Sequence, residues 1–381
     1  MTKSDQMSQS PLHGVRALVL GAGFGTRLRP FTEHEPKPAI PLLGRPLIAH
    51  PLIHLYAHGC HDAWVNAHHL ADRLSLRLDA YSQRRLPRLR LRYSVEETIL
   101  GTGGAVRRLQ AHLGDEPFLL LNGDGLLEMD LPRLWSSHQA SSAAATLGCM
   151  VREDAHHLGA VVSVAEDGRV IDIAGIARAP GITDDDVAAA TPTVFCGIHA
   201  VGPEVFEVLP PDGQEGCIVR QGYKHLIEGG ARVQASLLAS DTLFHDVGTP
   251  GRYLDAQAAV FQAPSLLPVP DEVDPQEALF QEASYAVDAH GREYGSPDAV
   301  EGLASASLTP PFFFGPRNTL GPGVVIGPNT SVGALNTIHA GARLEDCALW
   351  AQVEVGVGER LVGSIATRIQ GERVVVDARP A

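Results

Sequence analysis

A glycine-rich segment close to the start of the chain carries the side chains best suited to chemistry. It reads GAGFGTRLRP (21–30), follows an apolar run at 15–20, and precedes Lys37. Glycines let the backbone approach a phosphate group and direct amide N–H groups at it. Arg27 adds a guanidinium that pairs with two phosphate oxygens, and Lys37 adds a mobile positive charge. The segment therefore predicts a binding site for a triphosphate.

Two common phosphate-binding motifs do not fit this segment. Its spacing is GxGxG followed by Thr26 and Arg27, whereas a dinucleotide fingerprint reads GxGxxG and is followed by an acidic residue at the end of a later strand. The P-loop pattern GxxxxGK[ST] is absent as well. From the residues alone, an ordinary glycine-rich turn remains the alternative to a triphosphate site.

Strands and helices that alternate along the chain must position this segment. Apolar runs predict strands at 15–20, 62–68, 89–95 and 117–124, and apolar spacing predicts helices at 46–59, at 69–84 and after the GTGG turn at 101–104. This alternation is typical of an α/β fold with a mostly parallel, mixed sheet. Ligands bind at the carboxyl ends of such strands, where the glycine segment, the GTGG turn and Asp124 all fall.

A period of six residues replaces this pattern from 312 onward. The apolar residues at that period are Phe314, Leu320, Ile326, Val332, Ile338, Leu344 and Trp350. Such a repeat predicts a short, left-handed parallel β-helix of three coils, in which these side chains point inward. We expect the pattern to end after Trp350, where Gly356 interrupts it.

Composition indicates how the chain divides into segments and which classes of partner are disfavoured. We expect a polar tail at 1–14, an α/β domain at 15–262, a proline-rich and acidic linker at 263–311, and the β-helix domain at 312–381. A net charge of -14 argues against nucleic-acid or membrane partners. No signal peptide or apolar span is evident, and the five scattered cysteines indicate reduced thiols, so we expect a cytoplasmic protein.

Residues 23–38 resemble a family signature. The pattern GxGTRLxPxTxxxPKP is typical of the sugar-1-phosphate nucleotidyltransferases, and it is matched here by Gly23, Gly25, Thr26, Arg27, Leu28, Pro30, Thr32, Pro36, Lys37 and Pro38. Three later segments resemble family segments in the same order: GTGGA (101–105), NGDGLLEMD (122–130) and FHDVGTPGRYLDA (244–256). The resemblance covers residues 15–260 and, more weakly, the six-residue repeat.

The resemblance implies an activity and a set of site residues. The activity is transfer of a nucleotidyl group from a nucleoside triphosphate to a sugar 1-phosphate, which releases pyrophosphate and gives a nucleoside-diphosphate sugar. The implied fold is a Rossmann-like nucleotidyltransferase domain. The implied residues are Arg27 and Lys37 for catalysis, Leu20, Gly21, Ala22, Gly23, Gly25, Thr26, Gly101 and Thr102 for the nucleotide, Asn122, Gly159 and Gly197 for the sugar, and Asp124 and Asp246 for Mg²⁺.

One family segment is missing. Members commonly carry Glu-Lys-Pro after a hairpin, where the glutamate holds the sugar and the lysine holds its phosphate. The corresponding stretch here reads VIDIAGIARAP (170–180), and Arg178 is the nearest basic residue. Arginine is not equivalent to lysine at a phosphate site, so the identity of the sugar is left open.

Several functions stay open at this point. The LGTGGA loop favours GTP, with mannose 1-phosphate or a related sugar as its partner, and UTP is the alternative. The missing segment motivates a second hypothesis, a regulatory subunit that binds a nucleoside-diphosphate sugar without turnover. A third is a bifunctional enzyme whose β-helix acetylates a sugar or a sugar phosphate with His339 as base. We expect the β-helix to serve a homo-oligomer instead.

Overall fold

The computed structural model describes residues 10–128, 130–152, 155, 161–239, 242–263 and 282–379. Its strands before residue 264 are β1 (Arg16–Leu20), β2 (Pro41–Leu42), β3 (Arg45–Pro46), β4 (Asp62–Ala67), β5 (Arg90–Val95), β6 (Phe118–Asn122), β7 (Gly125–Leu127), β8 (Ala145–Val151), β9 (Val161–Val164), β10 (Val170–Ile173), β11 (Ala177–Arg178), β12 (Thr191–Val201), β13 (Val233–Leu238) and β14 (Phe244–Asp246). The α-helices are α1 (Ala49–Ala57), α2 (Ala71–Arg85), α3 (Gly101–Arg108), α4 (Gln110–Leu113), α5 (Leu131–Ser141), α6 (Asp184–Ala189), α7 (Val205–Val208), α8 (Lys224–Glu228) and α9 (Pro250–Gln262).

The later strands are short and follow one another closely. They are β15 (Tyr285–Val287), β16 (Glu293–Gly295), β17 (Ser307–Leu308), β18 (Phe312–Phe314), β19 (Thr319–Leu320), β20 (Val325–Ile326), β21 (Thr330–Val332), β22 (Thr337–Ile338), β23 (Arg343–Glu345), β24 (Ala348–Leu349), β25 (Glu354–Val355), β26 (Arg360–Val362), β27 (Ser364–Ile369) and β28 (Glu372–Asp377). Short 3₁₀ helices also occur, at Thr26–Leu28, Phe31–Glu33, Lys37–Ala39, Pro297–Ala299 and Leu303–Ser305.

The described residues form two compact units. The first consists of those within Met1–Gly23, Pro51–Ser75 and Ser82–Phe244, and the second of those within Phe24–His50, Leu76–Tyr81 and His245–Ala381. Segment 24–50, which carries the signature from Gly25 onward, therefore belongs to the same unit as the C-terminal strands, whereas Gly21 and Gly23 belong to the first unit. The predicted domain boundaries stay a prediction.

A mixed sheet organises the first unit, as predicted for an α/β fold. Strands β6, β1, β4 and β5 lie side by side and run parallel. Beyond β6 the sheet turns antiparallel, because β12 runs opposite to β6, β8 and β9. Apolar strand residues such as Leu18, Phe118 and Leu120 are buried against Val106 and Leu109 of α3 and its end. Burial of each such side chain stabilises the fold by roughly 1.5–3 kcal/mol.

A parallel β-helix lies in the second unit, as the six-residue repeat predicts. Strands β18, β21, β24 and β27 stack on one face, β17, β20, β23 and β26 on a second, and β19, β22 and β25 on a third. The predicted inward residues from Phe314 to Leu344 are all buried in its core. Strands β15 and β17 fall inside the predicted linker, yet they pair with β18 and β20.

The prediction for Trp350 is wrong. Opposed residues of successive coils are 18 positions apart at Phe314 and Val332, but 17 apart at Val332 and Leu349. One residue is lost at the corner between Leu344 and Leu349, so Leu349 takes the inward position and Trp350 lies outside the β-helix core. The repeat therefore continues in a shifted phase through Val355 to Leu361, beyond Gly356.

The cysteines agree with the expectation of reduced thiols. All five are free, and Cys60 and Cys149 lie in the interior. Burial raises the pKa of both thiols to about 12, because a thiolate is poorly solvated there. In the described part of the chain, no helix combines the length and apolar character that crossing a membrane requires.

We predict that Asn336→Ala destabilises the β-helix. The buried Asn336 amide donates to the Trp350 carbonyl at 3.0 Å and accepts from the Val353 N–H at 2.7 Å. Removing it leaves both backbone groups unpaired, which costs roughly 2–4 kcal/mol. Urea unfolding measures this loss. Thr337→Ala, at the exposed neighbouring position, should change the free energy of unfolding by less than about 0.5 kcal/mol. Equal effects would contradict the role given to the amide.

Candidate functional site

The carboxyl ends of three strands meet in the first unit. Leu20, the last residue of β1, is opposite Asn66 of β4 and Asn122 of β6. The glycine segment therefore starts beside the segment that holds Asp124. The Gly123 N–H donates to the Leu20 carbonyl at 2.9 Å, which fixes the chain just before that aspartate. Asp124 itself is half-buried.

A buried hydrogen-bond network ties the first glycine to the GTGG turn. The Gly21 N–H donates to Asn66 Oδ1 at 2.8 Å, and Asn66 Nδ2 donates to Glu96 Oε1 at 2.8 Å. The other oxygen of Glu96 accepts from the Leu100 N–H at 2.9 Å. Sequence reasoning missed both side chains, although a polar residue at the end of an apolar strand, such as Asn66, is a usable signal. The network holds two predicted nucleotide-binding segments in fixed positions.

The GTGG turn packs directly on residues 214–218. The N–H groups of Gly103 and Gly104 both donate to the Gly216 carbonyl, at 2.7 and 3.2 Å. Thr102 Oγ1 accepts from the Ile218 N–H at 2.9 Å, so this hydroxyl supports the turn. Gly101 has φ +69°, and a Cβ there would come within 2.5 Å of the Gly216 oxygen. The role predicted for the backbone of 101–102 toward the base stays a prediction.

Two of the predicted sugar-binding residues are in contact. Gly197 lies where β12 loses register with β8, and it has φ +75°. A Cβ there would come within 2.5 Å of Asn122 Nδ2. The glycine therefore makes room for the exposed Asn122 side chain at the carboxyl end of β6. The third predicted residue, Gly159, lies outside the described residues.

A neighbouring histidine is buried and neutral. His199 hydrogen-bonds through Nδ1 to the Tyr223 hydroxyl, and both side chains lie in the interior. Burial lowers the pKa of His199 to about 3, because the charged imidazolium would lose its hydration. The pair therefore supports the strand next to Gly197 without carrying charge.

The second unit brings the predicted cations and one predicted aspartate together. Asp246 ends β14, and its carboxylate lies 3.8 Å from Lys37 Nζ and 3.8 Å from Arg27 Nη2. The Lys37 side chain is only 8% exposed, whereas that of Arg27 is 63% exposed. Arg252, which sequence reasoning missed, donates to Asp246 Oδ2 at 2.8 Å. Three cations therefore surround one carboxylate.

Glycines give this cluster its space. A Cβ on Gly25, which has φ +62°, would come within 2.9 Å of Lys37 Cβ and of Thr32 Cγ2. A Cβ on Gly248 would come within 2.8 Å of Arg27 Nη2. The Thr32 hydroxyl donates to the Gly25 carbonyl at 2.9 Å, which closes the loop between them. The exposed guanidinium of Arg27 is left at the surface of a compact cationic cluster, which suits a polyphosphate ligand.

Arg178, the basic residue nearest to the missing family segment, is paired with two carboxylates. Its Nε donates to Asp172 at 3.1 Å, and its Nη1 donates to Asp184 at 2.6 Å. These hydrogen bonds raise the pKa of Arg178, so it stays charged, but the two carboxylates neutralise its attraction for an anion.

The metal site stays a prediction. Asp124 belongs to the first unit and Asp246 to the second. Within the described ranges, no group of three or more histidine, cysteine, aspartate or glutamate side chains is arranged to hold an ion. The roles predicted for the exposed Gly23 and Thr26, and for Leu20 and Ala22, likewise stay predictions.

Comparison with known proteins places most of the chain in one family. The family described as Nucleotidyl transferase matches residues 16–263. A UTP–glucose-1-phosphate uridylyltransferase of Synechocystis sp. is 25% identical over 92% of this chain and 87% of its own length. An N-acetylmuramate alpha-1-phosphate uridylyltransferase of Caulobacter vibrioides is 29% identical over 68% of this chain and 100% of its own. A mannose-1-phosphate guanylyltransferase of Mycobacterium tuberculosis is 27% identical over 65% and 64%.

We predict that Gly197→Ala destabilises the protein more than a matched glycine change does. A non-glycine residue at positive φ costs roughly 1–2 kcal/mol, and the clash with Asn122 adds roughly 1–3 kcal/mol. Gly213→Ala isolates the first cost, because Gly213 has φ +82° and nothing within 4 Å of an added Cβ. Chemical unfolding of the two variants compares them. If they lose equal stability, the contact with Asn122 has no structural weight.

We also predict an acid-dependent loss of stability from His199. Its pKa is about 3 in the folded protein and near 6.5 when unfolded, so the unfolded chain binds the extra proton first. This contribution is fully present above pH 6.5 and falls by up to about 1.4 kcal/mol per pH unit as the pH drops toward 3. His199→Gln should flatten the pH dependence of the free energy of unfolding over that window. An unchanged slope would argue that His199 is protonated in the fold.

Proposed function

Because the chain belongs to the nucleotidyl transferase family and is a nucleotidyltransferase, we propose that it joins a nucleoside triphosphate to a sugar 1-phosphate and releases pyrophosphate. The cluster of Arg27, Lys37 and Asp246 carries this proposal. It combines an exposed guanidinium, a nearly buried amine and a carboxylate, as a reaction among phosphate anions requires.

The reaction exchanges one phosphorus–oxygen bond for another. A phosphate oxygen of the sugar 1-phosphate forms a bond to the α-phosphorus, and the bond from that phosphorus to the bridging oxygen breaks. Pyrophosphate leaves with the electron pair. Arg27 and Lys37 bind phosphate oxygens and stabilise the charge that grows on them, so no protein nucleophile is needed.

The two predicted aspartates suit a magnesium ion. Both supply carboxylate oxygens, and neither is fully buried. Mg²⁺ in proteins takes one or two carboxylates together with water and substrate phosphates. Bound by Asp124 and Asp246, the ion would neutralise charge and orient phosphate oxygens. In the structure, the Asp246 carboxylate balances the positive charges of Arg27, Lys37 and Arg252.

The sequence and the relatives suggest which substrates to test. The LGTGGA loop favours GTP, with mannose 1-phosphate as its partner, and one relative is named a mannose-1-phosphate guanylyltransferase. UTP is the second candidate, because two other relatives are named uridylyltransferases, one for glucose 1-phosphate and one for N-acetylmuramate alpha-1-phosphate. These three sugar phosphates form the natural test panel.

A regulatory subunit is the alternative function. Arg178, the basic residue nearest to the missing Glu-Lys-Pro segment, is held by Asp172 and Asp184. This favours a protein that binds a nucleoside-diphosphate sugar but turns it over weakly. His339 pairs with Glu354 at 2.8 Å on the surface, and no observation supports an acetyl-transfer role for it.

We predict that the purified protein with Mg²⁺ releases pyrophosphate from one pairing of GTP or UTP with a sugar 1-phosphate. Lys37→Gln and Asp246→Asn should each lower kcat/KM by roughly 100-fold or more, since each removes a charge at the reacting phosphates. Asp255→Asn is the matched control, because Asp255 also pairs with an arginine, at 2.9 Å, but lies outside the cluster. It should keep activity within about twofold of the unmodified protein.

The outcomes separate the two functions. Pyrophosphate release that the two site variants lose and the control keeps identifies both the enzyme and its substrates. If no pairing releases pyrophosphate while calorimetry shows tight binding of a nucleoside-diphosphate sugar, the catalytic proposal fails and the regulatory one stands.

A further inference from the structure

The catalytic cluster and the β-helix belong to one compact unit. Segment 24–50 carries Arg27 and Lys37, and residues 245–381 carry Asp246 and the coils. Buried side chains that connect the β-helix to the loop of Arg27 and Lys37 can influence where that loop lies. Contacts in three places link the two.

An aromatic contact joins the signature loop to a β-helix corner. In the sequence, Phe31 lies between Arg27 and Lys37, and its side chain is almost fully buried. Its ring centroid is 4.8 Å from that of Trp350, with 45° between the ring planes. Trp350 is available for this contact because the shift in the six-residue phase puts Leu349, not Trp350, into the β-helix core.

Helix α9 joins segment 24–50 to the segment of Asp246. It begins just after Thr249, whose side chain accepts from the Arg252 N–H at 3.3 Å. One turn on, the Tyr253 hydroxyl donates to the Pro41 carbonyl at 2.5 Å, and the Tyr253 ring lies 6.1 Å from Trp350. Loop, helix start and β-helix corner therefore share one buried aromatic cluster of Phe31, Tyr253 and Trp350.

Gln257 attaches the middle of α9 to two coils of the β-helix. This side chain is fully buried. Its Nε2 donates to the carbonyls of Asn329 and Cys347, at 2.9 and 3.1 Å, and its Oε1 accepts from the Ser331 hydroxyl at 2.5 Å. Because the nitrogen and the oxygen of this buried amide are both hydrogen-bonded, the side chain is costly to displace. Helix α9 therefore cannot slide along the β-helix without losing these bonds.

We propose that Trp350 is a positioning residue of the active site. It does not touch a reacting group, but through Phe31 and Tyr253 it sets where the Arg27–Lys37 loop lies relative to Asp246. Phosphoryl-group transfer depends on positioning, and small displacements of a catalytic group reduce rates strongly. The β-helix thereby contributes directly to turnover. This inference rests on the proposed function.

The test compares Trp350→Leu with Trp350→Phe in the pyrophosphate-release assay. Leucine removes the ring, and kcat should fall about tenfold, while KM for the sugar 1-phosphate changes less than about threefold. Phenylalanine keeps a ring against Phe31 and should restore kcat to within about threefold of the unmodified protein. Trp135→Leu is the matched control: Trp135 is equally buried, at 8% exposed, but lies in the first unit. It should lower Tm without lowering kcat more than about twofold.

A double-mutant cycle separates positioning from general stability. If Trp350 acts through the loop of Lys37, then Trp350→Leu should cost less than about twofold in a Lys37→Gln background. A tenfold loss of kcat in both backgrounds overturns the proposal, as does an unchanged kcat in Trp350→Leu. If that variant fails to fold, Phe31→Leu probes the contact from the loop side and should show the same loss. An unmodified protein without any pyrophosphate release contradicts the proposed function instead.

Discussion

The buried amine of Lys37 constrains much of the second unit. A charge that has left water needs a partner of opposite sign close by, and Asp246 supplies that partner from a distant part of the sequence. Segment 24–50 must therefore pack beside the start of α9. Gly25 and Gly248 permit this approach, because a Cβ on either would collide with the cluster. The exposed Arg27 then adds a second positive charge at the surface of this cluster.

In the first unit, mostly neutral groups hold the predicted nucleotide-binding segments in place. Glu96, a deeply buried acid of this unit, accepts hydrogen bonds from the Asn66 amide and the Leu100 N–H. These bonds fix the backbone at Gly21 and at the GTGG turn, because each hydrogen bond has a preferred direction. Hydrogen bonds hold these two segments, whereas ion pairs hold the cluster around Lys37.

The sugar side departs furthest from the family pattern. The family's Glu-Lys-Pro segment is absent, and Arg178 forms salt bridges with Asp172 and Asp184. Asn122, at the carboxyl end of β6, and Gly197, inside β12, do lie against each other. The predicted sugar side therefore keeps a hydrogen-bonding residue, Asn122, and its basic residue differs from the family lysine in type and in its pairing.

The sequence alone determined the features that depend on local order: the apolar strands, the α/β alternation, the six-residue repeat and the signature motif. Each is a periodicity or a spacing, which neighbouring residues carry by themselves. It did not determine the side chains that meet across long separations. Glu96 with Asn66, Arg252 with Asp246, and the turn of Trp350 toward Phe31 all depend on packing. The lost residue before Leu349 changed the phase by one position, and only the stacked coils show which side chain then faces inward.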